Sequence, residues 1–172
     1  MKYAIIYSSK TGNTKQLADT IHSMCEDGIS FFGTAKEAIE KEISQQEYDI
    51  MFVGSWTDKG TCDEPMKTLL SSLKNQKLFL FGTCGFGGSP EYFQQILGRM
   101  GQNIDDSCTI IGTYMCQGKM PSSIRSRYER MLAENPEDKK MIQFIENFDR
   151  ALSHPNEEDL NQLQKKIKSV LI

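Results

Sequence analysis

Lys2-Tyr3-Ala4-Ile5-Ile6-Tyr7-Ser8-Ser9-Lys10-Thr11-Gly12-Asn13-Thr14 follows the first methionine, and its change of character decides the fold. Lys2–Tyr7 is apolar without alternation after its single charge, which suits a strand covered on both faces. Ser8 to Thr14 is small, hydroxyl-bearing or glycine, apart from Lys10 and Asn13. Asn13–Cys25 then sets Leu17, Ala18, Ile21, Met24 and Cys25 on one face at helical period, with Asn13 or Thr14 at the N-cap or first turn. A buried strand, a polar turn and an amphipathic helix in direct succession form the first half of a βαβ unit.

The same alternation continues outward. Asp49–Gly54, Lys77–Gly82 and Cys108–Met115 are short apolar runs bounded by turn residues, and Ile29–Thr34 is a weaker fifth. Helical spacing appears at Glu64–Leu73, at Pro90–Met100 and at Glu157–Leu171, where Leu160, Leu163, Ile167, Val170 and Leu171 share a stripe. Strands alternating with helices of this length predict an α/β fold, a doubly wound five-stranded parallel sheet between two helical layers. Such sheets bind ligands beyond the carboxyl ends of their strands. Attention therefore falls on Ser8–Thr14, Ser55–Glu64, Thr83–Glu91 and the residues after Met115.

Composition narrows the class. A length of 172 residues supports one domain with its own core, and a net charge of −3 gives no reason to expect nucleic acid or an anionic membrane. No run approaches the roughly 20 apolar residues of a membrane span, and the first apolar run is too short for a signal peptide. Cys25, Cys62, Cys84, Cys108 and Cys116 are odd in number and lack C-x-x-C spacing, and His22 and His154 lie apart from any cysteine pair. Reduced thiols, no metal site and a cytoplasmic location are the expectation.

Each strand-following loop carries a ligand-type pattern. Ser9-Lys10-Thr11-Gly12-Asn13-Thr14 opens a helix with hydroxyls and a glycine, so that backbone N–H groups can converge on an anion. It is neither a P-loop nor a G-x-G-x-x-G turn. Ser55-Trp56-Thr57-Asp58-Lys59-Gly60 holds the only tryptophan of the chain in a polar loop, where it suits a flat π-system. Thr83-Cys84-Gly85-Phe86-Gly87-Gly88 combines glycines with one aromatic, which permits close backbone approach to a ligand.

These three loops, in this order, resemble the flavodoxin family. The first is similar to its [ST]-x-T-G-x-[ST] phosphate signature and the third to its G-[ST]-x-G-aromatic-G pattern. The resemblance implies the strand order 2-1-3-4-5 and FMN as cofactor. It places the 5′-phosphate on Ser9, Lys10, Thr11, Gly12, Asn13 and Thr14. It sets Trp56, within Ser55, Thr57, Asp58, Lys59 and Gly60, on one side of the flavin ring. Phe86, within Thr83, Cys84, Gly85, Gly87 and Gly88, lies along the other side.

No catalytic side chain is implied, because the chemistry belongs to the flavin. The implied role is electron carriage between a reductase and an acceptor protein, with a monomer expected. An NAD(P)H-dependent FMN quinone or flavin reductase of the same fold is the alternative. Unlike strongly acidic family members, this chain carries Lys10 and Lys59 in its cofactor loops.

Residues from about 117 to 155 are expected as a helical insertion before the last helix, with helices at Pro121–Ala133 and Pro136–Leu152. Met141, Ile145, Phe148 and Leu152 share a face of the second. Lys119, Arg125, Arg127 and Arg130 form a basic cluster whose simplest use is pairing with glutamates on a solvated helix. The insertion leaves from the flavin end of the sheet and would shape a docking surface or partial lid. On that view, deleting 118–153 would slow partner reduction and spare FMN affinity.

Overall fold

The computed structural model describes residues 1–171. Five strands, β1 (Tyr3–Ser8), β2 (Ile29–Thr34), β3 (Ile50–Trp56), β4 (Lys77–Cys84) and β5 (Thr109–Gln117), form one parallel sheet in the order β2-β1-β3-β4-β5. The helices are α1 (Asn13–Met24), α2 (Ala35–Glu40), α3 (Glu64–Ser72), α4 (Pro90–Gly101), α5 (Ser122–Glu134), α6 (Lys139–Ala151) and α7 (Glu157–Val170). The expected fold class and strand order are both present.

Two-residue alternation divides the strands between two cores. Tyr3, Ile5 and Tyr7 join Phe52, Phe79 and Phe81 against Leu17 and Ile21 of α1 and Leu163 and Ile167 of α7. Ala4, Ile6, Met51, Val53, Leu78 and Leu80 face the other way, against the buried faces of α2, α3 and α4. The sheet is thus the middle of three layers. Leu17, Ile21, Leu163 and Ile167 are fully buried, each removal from water stabilising the fold by roughly 1.5–3 kcal/mol.

Local chemistry moves several boundaries from their sequence-based positions. The first helix begins at Asn13, so Asn13 and Thr14 stand in its first turn as expected, and Gly12 at φ 91° caps it through a left-handed conformation open to glycine. A short helix that the periodicity missed, α2, is opened by a capping box in which Thr34 and Glu37 bond reciprocally. β3 and β4 run past Gly54 and Gly82, so these glycines are strand residues and not turns.

Between β5 and α7 the chain forms the two expected helices. α6 begins at Lys139 and not at Pro136, because Asp138 caps it by accepting from the Lys140 and Met141 amides. Leu152 is 51% exposed at its end rather than part of the buried face. The neck of this segment is closed where the Lys119 N–H donates to the His154 carbonyl at 2.9 Å. Arg125 of α5 grips Asp149 of α6 with two hydrogen bonds of 2.9 and 3.1 Å and also pairs with Glu129. The expected pairing with a glutamate on its own exposed helix is present, and the same arginine also clamps the two helices.

Candidate functional site

Beyond the carboxyl ends of β1, β3 and β4 lies a cleft of about 340 Å³. Its walls are Lys10, Thr11 and Asn13 from the first loop, Trp56, Thr57, Lys59 and Gly60 from the second, and Thr83, Cys84, Gly85 and Phe86 from the third. Ser9, Gly12, Thr14, Ser55, Asp58, Gly87 and Gly88 belong to the same loops but do not line it. Sequence reasoning did not place Tyr92, Gly118, Lys119, Met120, Pro121 and Ile124 in this cleft, yet they complete it. All but Tyr92 come from the segment after β5, at the end of the sheet where ligand loops were expected.

The first loop is a nest of amides. The N–H groups of Gly12 and Lys15 both converge on Ser9 Oγ at 3.2 Å. The amides of Asn13 and Thr14, at the first turn of α1, donate to no acceptor among the described residues. Convergent donors at a helix N-terminus, already drawing in one oxygen, fit a phosphate. Two side chains here serve the scaffold instead. Asn13 Nδ2 donates to the Lys119 carbonyl at 2.8 Å, and Thr14 Oγ1 lies 2.9 Å from Thr83 Oγ1, both hydroxyls being buried.

Thr83 also accepts, through its carbonyl, a 2.9 Å hydrogen bond from Thr57 Oγ1. One strand-end residue thereby links all three loops. Asp58 and Thr61 exchange backbone hydrogen bonds of 2.8 and 3.2 Å around Lys59 (φ 50°) and Gly60 (φ 82°). Two successive positive φ values make this a two-residue turn of the type that matches strand twist. Arg99 of α4 donates to the Gly60 carbonyl at 3.1 Å and steadies its tip.

Trp56 is held by a residue that was not foreseen. Its Nε1–H donates to Asp63 Oδ2 at 3.1 Å, while Asp63 Oδ1 accepts from the Met66 amide and caps α3. Ser55 Oγ closes the arrangement, donating to the Trp56 carbonyl at 2.7 Å and accepting from the Asp63 amide at 3.2 Å. An acidic residue followed by Glu64 and Pro65 is an N-cap signal that could have drawn attention to Asp63. Lys10 Nζ sits 5.0 Å from the centre of the indole ring, within cation–π range.

Phe86 lines the cleft and packs edge-on against Phe144 of α6, their ring centres 5.2 Å apart. Cys84 is buried, and burial pushes its thiol up to about 12. Burial likewise raises Cys25, to about 11, and Cys62. These thiols stay protonated at neutral pH and are not nucleophiles there. Iodoacetamide at pH 8 should label the half-buried Cys108 of the folded protein and spare Cys25, Cys62, Cys84 and Cys116. Peptide mass mapping reads the order; labelling of Cys84 ahead of Cys108 would contradict this account.

A doubly wound sheet whose switch-point cleft joins an amide nest to a preset indole defines a class of protein that holds a flat, phosphate-bearing cofactor. The chain belongs to the flavodoxin domain family, whose model matches residues 4–168. It is 33% identical over 172 residues to the flavodoxin-like domain-containing protein BilS of Clostridioides difficile, covering 100% of this chain and 97% of that one. It is 35% identical over 176 residues to the protein of the same description from Clostridium symbiosum, covering 95% and 93%. Among solved structures, it resembles a flavodoxin from the domain Archaea at 16% identity and a TM-score of 0.55, over 99% of this chain and 96% of that one.

FMN is the cofactor of this family, and the cleft fits it. The amides at α1 suit its phosphate. Trp56 presents an anchored aromatic face, and the Gly85–Gly88 stretch has no side chain to bar close approach apart from Phe86. A Cβ added at Gly85 would come within 2.5 Å of Met120 Cγ and Sδ, so the methionine side chain packs directly on this glycine. The segment from Lys119 to Ile124 lines the cleft, so deleting 118–153 would remove part of its wall. No described helix is long and apolar enough to cross a membrane.

Proposed function

We propose that the protein is a cytoplasmic electron carrier that takes electrons from a reductase and delivers them to an acceptor protein. Bound FMN would supply one- and two-electron chemistry, which no side chain of the cleft provides. The amides of Lys10, Thr11, Gly12, Asn13 and Thr14, with the Ser9 and Thr11 hydroxyls, would hold the phosphate. Trp56 and Phe86 would bound the ring, and backbone groups between Thr83 and Gly88 would meet its polar edge. The α5–α6 segment is an insertion in one flavodoxin-like domain, and its first residues wall the cofactor.

The observation that carries this reading is the chemistry of the cleft. Among the described residues its lining holds no His, Asp or Glu, and its thiol is kept neutral by burial. The wall therefore offers no carboxylate or imidazole to move a substrate's proton near neutral pH. What it offers is cofactor binding and field. Lys10, Lys59 and Lys119 line it, and their positive charge favours the more negatively charged reduced cofactor.

Anaerobic stepwise reduction of the FMN-loaded protein, followed by visible absorbance with and without NADPH, tests the proposal. A carrier should be reduced in two resolved one-electron steps and should oxidise NADPH poorly by itself. Direct two-electron bleaching by NADPH would favour a reductase, and failure to retain FMN would overturn both readings.

A further inference from the structure

The loop after β4 is tied down by its carbonyls. The Cys84 carbonyl accepts from the Gly118 amide at 2.9 Å. The Gly85 carbonyl accepts twice, from Gln117 Nε2 at 3.0 Å and from Asn147 Nδ2 at 2.9 Å. The Phe86 carbonyl accepts from Cys84 Sγ at 3.0 Å. The amides of Gly85, Phe86, Gly87 and Gly88 donate to no acceptor among the described residues. Three successive carbonyls are engaged and the N–H groups are left over.

Asn147 is the unusual member of this set. It lies on the apolar face of α6 with Phe144, Phe148 and Ala151, and is only 6% exposed. A buried polar side chain on such a face needs a partner, and here it has two. Its Nδ2 binds Gly85, and its Oδ1 accepts from Gln117 Nε2 at 3.0 Å, Gln117 being 8% exposed. Both polar atoms of the Asn147 amide are used, one on the loop carbonyl and one on the side chain that shares it. Beside it, Phe144 packs edge-on against Phe86 and lies 5.4 Å from Tyr128 of α5.

We propose that Asn147 is a positioning residue for the cofactor, acting through the Gly85–Phe86 peptide. A trans peptide points its C=O and N–H in opposite directions. Drawing the Gly85 carbonyl toward α6 therefore turns the Phe86 N–H away from α6, to the cleft that both residues line. The helical segment between β5 and α7 thus sets the donor direction of a cofactor loop through one buried amide. Arg125 and Asp149 hold the same two helices together on the exposed side and touch none of these loop groups. The inference rests on the reading of this cleft as the FMN site.

Three variants separate the roles. Asn147→Leu keeps the branched outline of the side chain and removes both hydrogen bonds. Asn147→Asp keeps the acceptor for Gln117 and loses the donor to Gly85. Asp149→Asn weakens the clamp between the helices without reaching the loop. For each, amide hydrogen exchange of the apo protein, the FMN dissociation constant and the visible spectrum of the bound flavin are measured.

Both Asn147 variants should exchange faster at Gly118, whose amide donates to the Cys84 carbonyl at the start of the loop, with β1 and the rest of β4 unchanged. Each should bind FMN about tenfold more weakly, the effect of one lost buried hydrogen bond, and should shift the flavin bands. Asp149→Asn should match wild type in all three. Wild-type exchange at Gly118 together with wild-type FMN affinity in both Asn147 variants would overturn the proposal, as would an equal effect from Asp149→Asn. If the wild-type protein fails to bind FMN, the cofactor reading falls, while the exchange arm still decides whether Asn147 sets the loop.

Discussion

Gly54→Ala should lower the melting temperature by about 2–12 °C, the size expected from roughly 1–3 kcal/mol of overpacking in a chain of this length. An added Cβ would lie 2.1 Å from Phe81 Cε2, 2.3 Å from Cζ and 2.4 Å from Cδ2. Gly54 stands beside Phe81 in the register of β3 on β4, and the Phe81 ring fills the space where a side chain would stand. That ring is fully buried in the core shared with α1 and α7, so it cannot swing aside without disturbing Phe52, Phe79 or the helices. The strain falls two residues before Trp56, and the cofactor wall should loosen with the core.

A second variant shows whether the clash is the cause. Gly54→Ala combined with Phe81→Leu removes most of the ring, and the pair should be less destabilised than the two single changes added together. Thermal melts of the four proteins give the coupling directly. A Gly54→Ala protein that melts with wild type would sink the argument, and strict additivity in the double variant would assign the effect to something other than this clash.

The same glycine shows where sequence reading stops. Apolar runs alternating with helical stripes identified all five strands, because burial on both faces leaves a pattern that needs no knowledge of neighbours. Gly54 and Gly82 looked like strand ends because glycine is a common punctuator of local structure. In the fold they are close-approach sites instead, with a Cβ at Gly82 coming within 2.8 Å of the Ser55 carbonyl oxygen. Nothing local distinguishes the two uses, since the deciding atoms lie on the adjacent strand.

The site divides in the same way. Loops that follow strands could be located in sequence, and Trp56, Thr57, Gly85 and Phe86 do meet in one cleft with Lys10 and Thr11. What could not be seen was which hydroxyls the scaffold would use. Thr14 and Thr83 look like cofactor donors, and in the fold their hydroxyls bond to each other, joining the start of α1 to the end of β4. Asp63, Gln117 and Asn147 act through partners far along the chain or on another element. Asn147 carried a signal nonetheless, a polar residue on an otherwise apolar helical stripe.

Trp56→Ala should raise the FMN dissociation constant by roughly 10- to 300-fold. Aromatic packing contributes about 0.5–1.5 kcal/mol beyond area burial, and the apolar area that the indole would cover adds roughly 1–2 kcal/mol. The large effect depends on the indole being set before the cofactor arrives. Asp63 fixes the ring from one carboxylate oxygen while capping α3 with the other, so binding need not order a free side chain.

Asp63→Ala should therefore weaken FMN binding less than Trp56→Ala but also lower stability, by about 1 kcal/mol for the missing cap. Trp56→Phe should recover most of the affinity, because a flat apolar face remains. Since the chain has one tryptophan, its emission on titration with FMN, corrected for absorption by the flavin, reports binding close to Trp56. Wild-type affinity in Trp56→Ala, or emission unmoved by saturating FMN, would place the ring away from the cofactor and leave the cleft without its aromatic wall.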